Sequence, residues 1–150
     1  MFDLDRFLKA QDAGTPSQFD TALTELRTGF KRSHWMWFVL PQLRGLGRSH
    51  KALFYGISDI AEARAYAAHP VLGSRLLETI SVITTRMEQP SLTLSALMGG
   101  TVDSQKTISS LTLFEATGMA EATALLEILD CRCTRTLDML AANNAAIHDQ

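Results

Sequence analysis

Apolar residues recur at three- and four-residue steps through most of the chain, the spacing of amphipathic helices. Leu4, Phe7 and Leu8 share a face of a short predicted helix over residues 4–11, with Asp3 as its cap. Gly14 breaks it. Thr15, Pro16 and Gln18 then read as N-cap, first helical residue and capping-box partner of a second helix. Phe19, Leu23, Leu26 and Phe30 follow along one side, and the helix ends near Gly29. The apolar run WMWFVL, residues 35–40, fits either a buried helical turn or a short strand, and Pro41 closes it. Residues 42–49 read as an irregular loop around Gly45 and Gly47, and residues 51–57 as an apolar segment of open type.

Asp59 and Glu62 mark the start of a helix running to about residue 68, where His69-Pro70 breaks it. The next helix opens at Pro70, carries Leu72, Leu76, Ile80 and Ile83 on one face, and ends before Pro90. A short helix over 91–98 closes at Gly99-Gly100, a longer one covers 101–114 before Gly118, and 121–129 and 134–142 complete the set. The tail from about residue 143 is expected to fray. The pattern predicts an all-α fold: a compact bundle of six to eight helices, one domain over residues 1–150, with an irregular Trp/Gly-rich segment.

Composition agrees with that picture. At 46% apolar and 20% charged residues the chain is globular in type, without the signature of disorder. The N-terminus is acidic at once and lacks an apolar h-region, so no secretory signal is expected. No apolar run approaches 18 residues, and no membrane partner is expected. Cys131 and Cys133 are the two cysteines. A C-x-C without a second Cys or His pair is no zinc pattern, so no metal is expected. A reducing, cytoplasmic compartment fits this usage.

Charge is where the chain departs from the ordinary. Between Leu26 and Ser58 there is no Asp or Glu, while Arg27, Lys31, Arg32, Arg44, Arg48 and Lys51 fall inside that window. The chain as a whole has 14 basic against 16 acidic residues, so the remainder is strongly acidic. A basic quarter on an acidic protein points to an anionic partner. The same window holds both tryptophans and the G-x-G of Gly45 and Gly47, flanked by Arg44 and Arg48. Backbone N–H groups and guanidiniums there can approach a phosphate. The remaining glycine of a dinucleotide fingerprint and the Gly-Lys-Ser/Thr of a P-loop are both missing, so no cofactor is expected and a plain turn is the alternative.

One of Trp35 and Trp37 should be core, and the other is free to line a cleft as an aromatic platform. Lys31 and Arg32 beside His34 favour a neutral imidazole, which a general base needs. On the predicted helix 101–114 the apolar residues point most ways, so it should be buried. Yet Asp103, Lys106 and Ser110 make one narrow polar stripe on it. Buried charge must be paired or face a ligand; an exposed Asp103–Lys106 pair is the plain alternative. His69 should contact the carbonyls at the end of its helix, and Arg75 should pair with Glu62 or Glu78.

The runs GFKRSHWMWFVLPQLRGLGRS, EARAYAAHPVLGSRL and DSQKTISSLTLF together resemble the domain-of-unknown-function 1810 family, from Leu4 to about Leu140. The resemblance implies a helical fold and brings no established substrate or catalytic residue. Some members carry the label calpastatin, which does not suit a chain that is neither disordered nor repetitive. Family positions that coincide here include Arg6, Gln11, Lys31, His34, Trp35, Trp37, Gln42, Gly45, Gly47, Ser49, Glu62, Arg75, Asp103, Lys106 and Ser109. The departure is Cys131-Arg132-Cys133, where the family pattern implies a Gly-containing turn.

Two functions follow from these residues. The first is a binding or hydrolytic site for a small anionic molecule, nucleotide- or ADP-ribose-like. Lys31, Arg32, Arg44, Arg48, Arg75 and Lys106 would hold the anion with Gln42, Gly45, Gly47, Ser49 and Ser110, and Trp35 or Trp37 would stack on the organic part. His34 would act as acid/base, oriented by Asp103 or Glu62, in hydrolysis of a phosphate- or glycosyl-type bond. The second is a non-catalytic interaction module whose basic window meets nucleic acid or an acidic protein, with steep salt dependence. Nucleic acid is the lesser of these partners, because the window is modest and the surrounding chain negative.

Overall fold

The computed structural model describes residues 2–148, with side chains as far as residue 143. Ten helices are found among the described residues: α1 (Asp5–Asp12), α2 (Gln18–Thr28), α3 (Met36–Val39), α4 (His50–Phe54), α5 (Ile60–Ala68), α6 (Leu72–Met87), α7 (Leu94–Leu97), α8 (Thr101–Ala116), α9 (Ala120–Leu129) and α10 (Thr134–His148). The fold is all-α. The count exceeds the expected six to eight because α3, α4 and α7 are little more than single turns. Among the described residues, extended pairing is confined to one parallel bridge, Leu43 with Ile57.

Several boundaries differ from the sequence pattern. Helix α2 is capped by Ser17, whose hydroxyl accepts from Asp20 N–H, while Thr15 and Pro16 lie in the preceding turn with a cis peptide between them. Helix α1 has no side-chain cap and starts at Asp5. His69 does not reach back to the carbonyls of α5. Its Nδ1 accepts from the N–H groups of Val71 and Leu72, covering the free donors at the start of α6. Gly73 sits where α6 turns against α5, and a Cβ there would lie 2.1 Å from Ala67 O. The tail expected to fray from residue 143 is helical to His148, and residues 149 and 150 lie outside the described set.

Helix α8 is the centre. It packs against α9, α5, α10, α7 and α3, and Leu111, Leu113 and Phe114 are fully buried on it. Its buried Thr107, Ser109 and Thr112 are tolerated because each hydroxyl donates to a carbonyl one turn back, on Asp103, Gln105 and Ile108. Small polar residues of this kind keep α8 slim enough for helices to approach on several sides. Phe7, Tyr66 and Phe114 form an aromatic chain through the core, with Phe7 and Tyr66 edge to face at 5.0 Å. The buried Gln11 amide donates to Phe38 O and to the Tyr66 hydroxyl, tying α1 to α3 and α5.

Candidate functional site

The segment before α3 is shaped by one carboxylate. Glu25 on α2 accepts from the N–H groups of Arg32 and Ser33, from Ser33 Oγ and from Trp35 Nε1. Burial works against its charge, but these donors outweigh it and hold Glu25 at about 2. With its indole N–H satisfied there, Trp35 is 0% exposed and belongs to the core. Met36 starts a helical turn, so Trp37 leaves on the other side, partly exposed.

Lys31 fastens this segment to α8. Its N–H donates to Leu97 O, and its ammonium lies 2.8 Å from Asp103 Oδ2, donates to Ser33 O and stands over the Trp35 ring. Gly99 passes so close that a Cβ would lie 2.7 Å from Lys31 O, and its φ of +81° favours glycine independently. The Lys31 side chain is only 6% exposed. It is a strut, and an incoming anion has little access to it.

Asp103 is therefore committed to Lys31, and the second ammonium, Lys106, is left with a 3.9 Å contact to Asp103 Oδ1. Lys106 Nζ lies 3.6 Å from the centre of the Trp37 ring, a close cation–π geometry. Burial, with Lys31 nearby and Asp103 in opposition, lowers its affinity for a proton. Lys106 and Trp37 open onto a cavity of about 500 Å³. Gln42, Leu46 and Gly47 form one wall, α8 supplies the floor through Val102, Gln105, Lys106, Ile108 and Ser109, and residues 131–135 at the start of α10 form the far wall. Arg135 reaches across from α10 to Leu46 O at 3.4 Å. Arg132 is held by both oxygens of Glu115.

Of the residues singled out in the sequence, the cavity gathers Trp37, Gln42, Gly47 and Lys106, with Lys31 and Asp103 behind them. The others lie elsewhere. His34 is exposed and outside the lining. Glu62 is buried against Arg6 at 2.9 Å and accepts from Ser58 N–H; despite burial, these partners keep its carboxyl below the usual range. Arg75 pairs with Asp12 and Gln11 rather than Glu62 or Glu78, since α6 runs beside α1 and α2 at that point. Arg44 braces Leu53 O and Gly56 O, and Ser49 caps α4 through Ala52 N–H. Arg32 and Arg48 are exposed, and Gly45 faces Met139. Ser110 is wholly buried without a hydrogen-bond partner; its neighbour Ser109 is the one that lines the cavity.

Of the basic window, Arg27, Lys31 and Arg44 make structural contacts, while Arg32, Arg48 and Lys51 are exposed. The sequence places a helix from residue 134, as found, but leaves the C-R-C-T-R run at its start out of the site, although its two arginines are a basic signal outside the window. Among the described residues, no three His, Cys, Asp or Glu side chains could hold a metal ion together, and no helix is long and apolar enough to cross a membrane.

A crystal structure of the conserved hypothetical protein Rv1873 from Mycobacterium tuberculosis is similar over 93% of this chain and 97% of its own, with 40% identity and a TM-score of 0.83. Comparison with curated proteins gives no match. The model of the family described as a protein of unknown function, DUF1810, matches residues 1–141, and the chain belongs to that family.

Proposed function

We propose that the cavity binds a small anionic molecule with a flat organic part, nucleotide- or ADP-ribose-like. One observation carries this reading: Lys106 is an under-paired ammonium set between an aromatic face and an open cavity. A fully paired lysine gains little from an anion; Lys106, with a long contact to a carboxylate already committed elsewhere, gains more. Arg135 and the positive end of the α10 dipole add charge of the same sign on the opposite wall. Trp37, Leu46, Val102 and Ile108 supply apolar surface for the rest of the ligand. About 500 Å³ lies within the range of roughly 300–1,000 Å³ common for small-molecule sites.

Binding is better supported than hydrolysis. His34 and Glu62 do not line the cavity, and Asp103 is held by Lys31. A thermal-shift panel of adenosine monophosphate, adenosine diphosphate, ADP-ribose and pyrophosphate tests the proposal. At least one should raise Tm for the wild type and leave Lys106→Ala unmoved; no response to any of them overturns it.

The interaction-module reading rests on the basic window, of which Arg32, Arg48 and Lys51 are exposed, with His50, Leu53 and Phe54 exposed beside Lys51 on α4. Mobility shift of a short duplex at two salt concentrations separates it from the first. Retardation at low salt that disappears at high salt supports it, and none at either salt excludes nucleic acid.

A further inference from the structure

The far wall of the cavity carries chemistry that the anion reading leaves unused. Cys133 precedes the first residue of α10 in the N-cap position, and its carbonyl accepts from Leu137 N–H. Its own N–H is taken by Thr112 Oγ1 at 3.0 Å, which fixes the residue against α8. Cys133 lines the cavity. Ser109 Oγ stands 3.2 Å from its sulfur and 3.0 Å from Gln105 O, so one hydroxyl proton chooses between a carbonyl and the sulfur. Thr136, one turn along, is 0% exposed, and its hydroxyl has no partner of normal geometry although it faces the Cys133 sulfur. A buried hydroxyl left in that state is costly, and a negative charge on that sulfur eases the cost. The N–H groups of Arg135 and Thr136 belong to the first turn of α10, where no intrahelical carbonyl accepts them.

The charged groups around this wall are Lys106 on α8, Arg135 on α10, and Arg132 in the intervening turn, the last neutralised by Glu115 of α8. The two thiols of C-x-C are driven apart. Burial and Asp130 push Cys131 up, against Arg132. Burial also opposes ionisation of Cys133, but the hydroxyls of Ser109 and Thr136 and the two N–H groups outweigh it and bring that thiol below its ordinary value.

We propose that Cys133 is a nucleophilic thiolate in the cavity wall and a modification site whose oxidation by a hydroperoxide closes the cavity to its anionic ligand. The thiolate attacks one oxygen of the peroxide. A sulfur–oxygen bond forms, the oxygen–oxygen bond breaks, and sulfur gives up two electrons to the departing hydroxide or alkoxide, which takes a proton from water. The sulfenic acid then projects an extra oxygen into the space the ligand needs. That last consequence rests on the anion reading; the reactivity of the thiol does not.

Alkylation of the wild type with iodoacetamide, followed by peptide mapping, tests the thiolate directly. Cys133 should be labelled at least tenfold faster than Cys131 at pH 7, with a rate midpoint below the free-thiol value of about 8.5. Ser109→Ala and Thr136→Val should each move that midpoint upward, which a merely space-filling role would not do. Hydrogen peroxide with dimedone should place the tag on Cys133. Equal labelling, faster labelling of Cys131, or a Cys133 midpoint at or above 8.5 overturns the assignment. Adenosine monophosphate separates the two claims: if it binds the reduced protein, peroxide treatment should weaken it at least tenfold, and unchanged binding overturns the closure. If it fails to bind the reduced protein, closure falls with that ligand, and the labelling order still decides the thiolate.

Discussion

Lys31 and Asp103 meet at 2.8 Å, and this contact fastens the tryptophan-bearing segment to the central helix. Because the Lys31 ammonium also holds Ser33 O, Asp103 is drawn toward it and away from Lys106. Lys31→Met should therefore destabilise the fold by about 2–3 kcal/mol, somewhat less than a fully buried pair would lose, because Asp103 keeps some contact with water. Urea denaturation measures this. A loss below about 0.5 kcal/mol, the range of ordinary surface changes, would show that the strut is ornamental.

Glu25 gives the protein an acid-sensitive joint. Its folded-state value of about 2 lies below the ordinary 4.5, so its stabilisation is fully present above about 4.5 and is lost as pH falls toward 2. The expected contribution is on the order of 2 kcal/mol once partial exposure is discounted. Glu25→Gln should flatten the stability profile across that window and lower stability at neutral pH. A variant profile parallel to the wild type would contradict the joint.

The Arg6–Glu62 pair is buried on both sides, and Arg6 also donates to Phe54 O, Gly56 O and Asp3 O. Glu62→Gln leaves that guanidinium short of a counter-charge and should cost about 3 kcal/mol. Ligand affinity at the Lys106 cavity should stay within twofold by calorimetry. A large change in affinity with little change in stability would place Glu62 in the site after all.

Asp130 closes α9 in the left-handed region, at φ 54°, where a glycine is the usual occupant. Asp130→Gly should stabilise the protein by about 0.5–1 kcal/mol, read as a rise in Tm.

Helix existence was legible because periodicity reports local burial, and α8 reads as central from the spread of Leu111, Leu113 and Phe114 around it. Caps were less legible. Thr15 and Ser17 both precede Gln18 in plausible cap positions, and the observed cap belongs to the second. The sequence also separates Trp35 from Trp37, but does not say which of them is core; Glu25 on α2 decides that by accepting from the Trp35 indole. On α8, Ser109 and Ser110 are neighbours in sequence, and only the approach of α10 selects Ser109 for the cavity. Cys131-Arg132-Cys133 carries no signal as a metal motif. Its place on the cavity wall follows from contacts between distant parts of the chain, Cys133 with Thr112 and Ser109 of α8, which no local pattern encodes.

The most direct measurement is calorimetric titration of adenosine monophosphate and ADP-ribose into the wild type, Lys106→Met and Trp37→Leu. At least one ligand should bind the wild type with measurable heat. Its Kd should weaken at least tenfold in Lys106→Met and severalfold in Trp37→Leu, with both variants folded by circular dichroism. Equal affinity in all three proteins, or no heat with either ligand, would contradict an anion site between Trp37, Lys106 and the start of α10.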